Sequence, residues 1–483
     1  MIFRVGHKYQ HLVPQENCSC CSADVQAALQ RVNVELSRRG FLAGLGATAA
    51  STGLASDAWA QAAEAQKPTL FINVNIFDGK SPKLAKGMSV LIENGKIAAI
   101  RAGKMNAPAG ATVIDGGGRT LMPGLIDNHV HIFMSASSEK QLLDPAASPE
   151  EMIERAIEEA RQMLLRGFTS VRDLGGPVFA VKRSIDQGKS IGPRIYASGA
   201  MISQTSGHGD FRAPNEKSRR FGGKASTGEL LGAGFIADGR DEVLTATREN
   251  LRSGASQIKV MAGGGAASAY DPLDVAQYTL DELKAAVEAA ADWNTYVTVH
   301  AYTPRAVRRA VEAGVKCIEH GQLLDEATMK VLADKGVWLS LQALDEAPPT
   351  ASASVREKKH SVVMGTDNAF KWARKHKVKL AFGSDILLNP PLNKNQSTDV
   401  IKLKQWFSPA EALKLVTHDN AQLLALSGPR NPYPGKLGVV EVTAYADLLL
   451  VDGDPTENLA LVGDPEKNFQ IIMKDGRIHK NTL

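Results

Sequence analysis

The sequence predicts an α/β protein: a (β/α)8 TIM barrel with a small β-sandwich module built from both chain ends. Three observations carry this. Between residues 124 and 423, eight short apolar runs alternate with helical segments, which is the count of a closed parallel barrel. The flanks, 61–123 and 424–483, show only short apolar runs broken by turn residues, the texture of small sheets. No Gly-x-Gly-x-x-Gly follows the first barrel run, as a doubly wound dinucleotide-binding sheet would require.

Residues 1–60 read as an address. Ser37-Arg38-Arg39-Gly40-Phe41-Leu42 precedes a weakly apolar run ending at Leu54, then Ala58-Trp59-Ala60, and the whole resembles a twin-arginine export signal with a small-residue cleavage site. The resemblance implies the twin-arginine export machinery as a partner, metal loading in the cytoplasm, and a periplasmic or secreted enzyme. The run is too short and glycine-rich for a spanning helix, so no stable membrane insertion is expected. Cys18, Cys20 and Cys21 would leave with the leader, and Cys317 alone forms no internal disulfide. A net charge of +4 over 483 residues gives no reason to invoke nucleic acid. A homo-oligomer is the expected assembly.

In the flanks, Leu70 to Val74, Met88 to Glu93, Ile97 to Arg101 and Thr112 to Asp115 are expected strands, as are Ala446 to Val451 and Phe469 to Met473, with Asp475-Gly476 as a hairpin turn. The barrel strands are expected at Gly124 to Ile132, Ser170 to Asp173, Arg194 to Ser198, Gln257 to Met261, Tyr296 to His300, Cys317 to His320, Val337 to Gln342 and Lys379 to Ser384. Helix starts are marked by a hydroxyl residue with glutamate three positions on, at Ser148/Glu151, Thr279/Glu282 and Ser408/Glu411, where each pair can satisfy free backbone N–H groups reciprocally. After the first of these, Ile153, Ala156, Ile157, Ala160, Met163 and Leu164 recur at helical spacing.

The chemistry is carried by Asp127-Asn128-His129-Val130-His131 at the end of the first barrel strand. Residues i and i+2 of a strand share a face, so His129 and His131 can chelate one borderline metal such as zinc. Lys259 falls on the fourth strand, His300 ends the fifth, His320 ends the sixth, and Asp385 follows the eighth. All are placed at the C-terminal mouth, where barrels of this kind hold their active sites. Asp173, ending the second strand, either orients a ligand histidine or pairs with Arg172. His360, His376, His418 and His479 lie away from strand ends and read as ordinary surface or packing residues.

These motifs, with Ile318-Glu319-His320-Gly321, Phe382-Gly383-Ser384-Asp385 and Thr205-Ser206-Gly207-His208-Gly209-Asp210, resemble the amidohydrolase superfamily over essentially the whole mature chain. Within it the chain looks like the imidazolonepropionase-related subgroup of metal-dependent carboxypeptidases, Xaa-Pro dipeptidases and ochratoxin-type amidases. That resemblance implies two divalent metal ions, most simply zinc, with His129, His131 and Asp385 on one, His300 and His320 on the other, and an N6-carboxylated Lys259 bridging both. An unmodified Lys259 would instead leave a mononuclear site. Ser206 and Ser256 depart from the subgroup's usual glycine and aspartate.

On this reading the metals make hydroxide available near neutral pH, Asp385 takes the proton of that water and returns it to the departing amine, and His208 and Tyr302 donate hydrogen bonds to the carbonyl oxygen. His208 and Tyr302 can equally be loop scaffolding. The segment from Ser203 to Asp238 carries Arg212, Lys217, Arg219, Arg220 and Lys224, either a basic lid for a substrate carboxylate or a solvated face. Gly263-Gly264-Gly265 would admit substrate close to the backbone. The expected reaction is hydrolysis of an amide or peptide bond next to a carboxylate in a small molecule or short peptide. A lactone, cyclic-amide or phosphoester hydrolase, a mononuclear deaminase, and a metal-binding protein without catalysis are the alternatives.

Overall fold

Five strands open the chain of the computed structural model: β1 (Thr69–Ile76), β2 (Ala85–Glu93), β3 (Lys96–Ala102), β4 (Thr112–Asp115) and β5 (Thr120–Pro123). The structure describes residues 67–483 apart from 145, 147, 269 and 270; the export-type segment and its cysteine cluster lie outside the described residues. The central region contributes β6 (Leu125–Val130), β7 (Phe168–Asp173), β8 (Arg194–Ala197), β9 (Met201–Ser203), β10 (Gly234–Ile236), β11 (Ile258–Met261), β12 (Val297–Ala301), β13 (Cys317–His320), β14 (Trp338–Leu341) and β15 (Lys379–Phe382). The tail adds β16 (Leu448–Val451), β17 (Phe469–Lys474) and β18 (Arg477–Asn481).

Strands from the two flanks share one eight-stranded sheet, ordered β18-β17-β16-β5-β1-β2-β3, with β4 also paired to β1. The network branches at β1, which runs parallel to β4 over Thr69–Ile72 and to β5 at Asn75–Ile76. Phe71, Val74, Val90, Leu121, Leu448, Leu450 and Ile471 are buried in its own core. The β17–β18 hairpin turns at Asp475 and Gly476, both with positive φ (52° and 69°), the backbone that an Asp-Gly pair adopts at little steric cost.

All eight barrel strands expected from the sequence are present, each followed by helix or loop, but their ladders are split. β6-β7-β8 form a three-stranded parallel sheet, and β10-β9-β11-β12-β13-β14-β15 form a seven-stranded one. The short β9 and β10 are additions to the expected set: β9 lies between the third expected strand and the segment from Ser203 to Asp238, and β10 lies inside that segment. The edges of the two sheets are joined by individual bonds instead of a ladder. On one side Ser256 N donates to Ala197 O at 2.8 Å, and Gln257 Nε2 donates to Tyr196 O at 2.9 Å. On the other, Asp385 N donates to His129 O at 2.8 Å, and buried Asn420 receives Phe382 N (2.9 Å) while donating to Ile126 O (2.6 Å). Side chains that satisfy backbone groups at a sheet edge keep buried polar atoms from being orphaned there.

Helices cover these sheets with their apolar faces. Pro149–Leu165 begins at Ser148, whose side chain accepts from Glu151 N, and buries Met152, Ala156, Ala160, Met163 and Leu164. The full reciprocal box forms at Thr279/Glu282 and Ser408/Glu411. At Ser148 only half of it forms: the hydroxyl accepts from Glu151 N and donates to Glu150. Each fully buried leucine or methionine on such a face contributes roughly 1.5–3 kcal/mol relative to exposure. No helix among the described residues is long and apolar enough to cross a membrane.

Candidate active site

The DNHVH segment ends β6, and its first residue is a brace. Asp127 is fully buried and accepts from His129 N (3.0 Å), Ser384 N (3.1 Å), Ser384 Oγ (2.6 Å) and Gln396 Nε2 (3.0 Å). Four donors fix both oxygens, and with them the approach of β15's end to β6. Gly383 permits that approach, since a Cβ there would lie 2.3 Å from His129 Cβ. The chain then turns at Asp385 through a left-handed φ of 55°, which swings its carboxylate over the histidines.

Asp385 Oδ1 lies 3.3 Å from His129 Nε2 and 3.3 Å from His131 Nε2. His320 Nδ1 stands 4.0 Å from Asp385 Oδ2, and the His129 and His320 rings are 5.1 Å apart. Lys259 Nζ is 3.4 Å from His129 Nε2. The His300 ring packs 4.3 Å from that of His320, His208 stacks on His300 at 4.1 Å, and Tyr302 stacks on His320 at 4.8 Å. All eight residues assigned a role from the sequence therefore meet in one cluster. Adjacent strand residues normally point to opposite faces; His320 reaches the cluster directly after inward-facing Glu319 because its φ is 77°.

Each imidazole is held from behind. His320 Nδ1 is 2.7 Å from Gln342 Oε1, His131 Nδ1 is 3.4 Å from Gly175 O, and His300 Nε2 is 3.1 Å from Gly264 O. These acceptors leave Nε2 of His320 and His131, and Nδ1 of His300, without a proton and free to bind a cation. Burial keeps the His300 and His320 imidazoles neutral, well below their ordinary range. It lowers His129, with help from the Lys259 charge, to about 4. Burial also pushes the Lys259 ammonium down to about 8. The result is a buried pocket of neutral nitrogen donors around one carboxylate, the donor set of a zinc-type cation site. His129, His320 and Asp385 each offer a ligand atom, and the three atoms lie within 4.8 Å of one another.

Several readings of neighbouring residues change. Asp173 makes no ion pair with Arg172 among the described residues; it accepts from Ile132 N (2.7 Å) and Gly175 N (3.2 Å), fixing the backbone just after His131, and interacts electrostatically with the His131 ring. Gly263-Gly264-Gly265 packs protein against protein: a Cβ at Gly265 would lie 1.7 Å from His208 Cε1, and one at Gly264 would lie 1.8 Å from Pro272 O. His208 is further anchored through Nδ1 to Asp271 Oδ2 at 3.0 Å. The basic residues of the Ser203 to Asp238 segment are largely matched from nearby acids, Arg212 by Asp210, Arg219 by Glu229 and Arg220 by Glu242. His360, His376 and His418 pair with Glu346, Glu326 and Asp419 outside the cluster.

Sequence reasoning missed two features. Fully buried Arg172 and Glu319 form an ion pair at 2.6 Å beneath the histidines; the signal was a carboxylate on a barrel strand immediately before a ligand candidate. Lys359, in the helix Ala353–Lys375, is half-buried with no hydrogen-bond or ion-pair partner among the described residues. Burial lowers its ammonium, and the carboxylate that raises it most is Asp385. An isolated lysine in a helix has no sequence signature that would have marked it.

A candidate cation site at the C-terminal ends of parallel strands in an α/β fold suits a metal-dependent hydrolase, and a family model described as the amidohydrolase family matches residues 120–480: the chain belongs to that family. More particularly, it is similar to the ochratoxinase of Aspergillus niger, with 32% identity over 375 residues, 74% of this chain and 75% of the relative. A solved prolidase complexed with N-methylphosphonate-L-proline matches with a TM-score of 0.78 and 32% identity over 86% of this chain and 100% of its own. A solved Xaa-Pro dipeptidase with bound methionine matches with a TM-score of 0.73 and 28% identity over 86% of this chain and 100% of its own. The protein is thus a hydrolase of amide or peptide C–N bonds, related to ochratoxinase and to prolidase-like amidohydrolases.

Proposed function

We propose that the protein is a binuclear metal-dependent hydrolase that cleaves an amide or peptide bond next to a free carboxylate, in the manner of a dipeptidase or carboxypeptidase. The observation that carries this is the convergence of His129, His131, Lys259, His300, His320 and Asp385 in one buried cluster. Those six would hold the metals, with Lys259 carboxylated: as an ammonium it has no lone pair for a cation and would repel one. A buried amine pushed down to about 8 is a better nucleophile toward carbon dioxide than an exposed lysine. When bound, two divalent cations supply an activated water and polarise the scissile carbonyl. Asp385 is positioned to accept a proton and pass it to the departing amine, while His208 and Tyr302 border the same space as hydrogen-bond donors.

The two parallel sheets act in this reading as one (β/α)8 barrel, its seams closed by the bonds of Ser256, Gln257, Asp385 and Asn420. Both solved relatives were captured with amino-acid ligands, an L-proline derivative and methionine, and this supports a substrate that ends in a carboxylate. Since three of the five basic side chains of that loop already face acids, Lys359, whose ammonium acts on Asp385 at the cluster, is the better anchor for that group. Export by the twin-arginine route, with work in the periplasm, completes the reading on the strength of Ser37 to Ala60.

The test is a panel of dipeptides, N-acyl amino acids, lactones and phosphoesters offered to zinc-replete protein. Turnover confined to acyl amino acids and peptides is expected, whereas turnover of lactones or phosphoesters alone would overturn it. Two metals per chain and a carbamate signal after loading with 13C-bicarbonate should accompany activity. In the Lys359→Met variant KM for a carboxylate-bearing substrate should rise about tenfold or more with kcat little changed, as expected for a lost charge-assisted contact worth ~1.5–3 kcal/mol. An equal KM for the acid and its methyl ester in the wild type would remove Lys359 from substrate recognition.

A further inference from the structure

Beneath the histidines, Arg172 on β7 reaches across to Glu319 on β13. Its Nη2 donates to Glu319 Oε1 (2.6 Å), its Nε to Asn128 O (2.7 Å) and its Nη1 to Tyr296 OH (3.2 Å). Thr298 Oγ1 adds a second donor to Oε1 at 2.5 Å. One oxygen of the carboxylate is thereby saturated. The other, Oε2, is fully buried and makes no hydrogen bond of good geometry among the described residues; His129 Nδ1 lies 3.0 Å away in a bent contact, and the Lys259 ammonium acts on the same carboxylate.

His129 Nδ1 has a competing neighbour, Gln342 Nε2 at 3.3 Å. The two contacts demand opposite tautomers. A carboxylate only accepts, so pairing with Glu319 puts the proton on Nδ1 and leaves Nε2 bare; on that side Nε2 can accept from the Lys259 ammonium at 3.4 Å, against the opposite demand of Asp385 Oδ1 at 3.3 Å. An amide nitrogen only donates, so pairing with Gln342 puts the proton on Nε2, in the way of any cation. Gln342 has other work for both ends of its amide, donating to Ser340 O at 3.1 Å and accepting from His320 Nδ1. Glu319 Oε2 has no other hydrogen-bond donor among the described residues.

We propose that Glu319, locked in place by Arg172 and Thr298, is a positioning residue that selects the Nδ1–H tautomer of His129 and so presets Nε2 as a metal ligand. The inference rests on reading the cluster as a metal site. Arg172 makes it possible by engaging Oε1 at 2.6 Å, which fixes the carboxylate with Oε2 turned to His129.

Two measurements test it. In metal-free wild-type protein labelled with 15N-histidine, the His129 signal, assigned by its loss in His129→Asn, should show a protonated Nδ1 and a bare Nε2. In Glu319→Gln, whose single oxygen cannot serve both Arg172 and His129, zinc affinity measured by chelator competition should fall roughly 10- to 100-fold, and activity should return at excess zinc. A protonated Nε2 in the wild type, or wild-type affinity in a folded Glu319→Gln, overturns the proposal. If that variant fails to fold, the wild-type spectrum decides. Wild-type protein that binds no zinc would sink the metal site itself, a result distinct from either.

Discussion

Replacing Asp385 with asparagine should lower kcat by roughly 100- to 10,000-fold, the range associated with loss of a positioned acid or base, while leaving the fold intact. One carboxylate oxygen stands 3.3 Å from both His129 Nε2 and His131 Nε2, so under the proposed mechanism the same group would complete the ligand set and face the reacting water. Asparagine matches its size and tolerates the left-handed backbone that position 385 adopts (φ 55°). It lacks the negative charge that balances cations among neutral imidazoles, and an amide oxygen is a poor proton acceptor. The measurement is kcat on the best substrate, with zinc content and circular dichroism as controls. A folded, zinc-loaded variant turning over at near wild-type rate would exclude Asp385 from the chemistry.

Arg172→Met should destabilise the protein by about 3–5 kcal/mol, the cost of leaving one member of a buried pair alone. Glu319, with no solvent exposure, would lose the guanidinium that holds its carboxyl well below the ordinary range against burial. The pH dependence follows by linkage. In the wild type the folded pKa of Glu319 is depressed, so its contribution is complete above the ordinary glutamate range and is lost only on acidification well below it. In the variant, burial without Arg172 raises that pKa above its unfolded value. The deficit should therefore be largest at neutral and alkaline pH and shrink as pH falls and Glu319 takes a proton. The Arg172→Met/Glu319→Gln double variant should recover much of the loss, because no buried charge remains. Urea unfolding at two pH values checks both signs; a deficit independent of pH would mean the guanidinium acts by packing alone.

Much of the site was legible in the sequence because its parts are local. His129 and His131 are two apart on a strand, and that spacing alone sends both imidazoles to one face. His300, His320 and Asp385 each close an apolar run, which marks them as mouth residues once the runs are counted. The glycine-rich turn was misjudged for a related reason: Gly265 accommodates a ring from 57 positions earlier, His208, and nothing near it in the chain announces that. The basic segment could be read either as a lid for anions or as a solvated face, because its pairing with Asp210, Glu229 and Glu242 is set by the folded chain.

By itself, then, the amino-acid order determined which residues can bind cations and at which end of each strand they stand, since strand periodicity and helix caps act over a few neighbours. Tertiary structure alone decided how those residues are tuned. Arg172 and Glu319 lie 147 positions apart, and Gln342 and His129 lie 213 apart; whether an imidazole meets an acceptor or a donor is a matter of ångströms set by packing, and packing joins segments that no local rule connects.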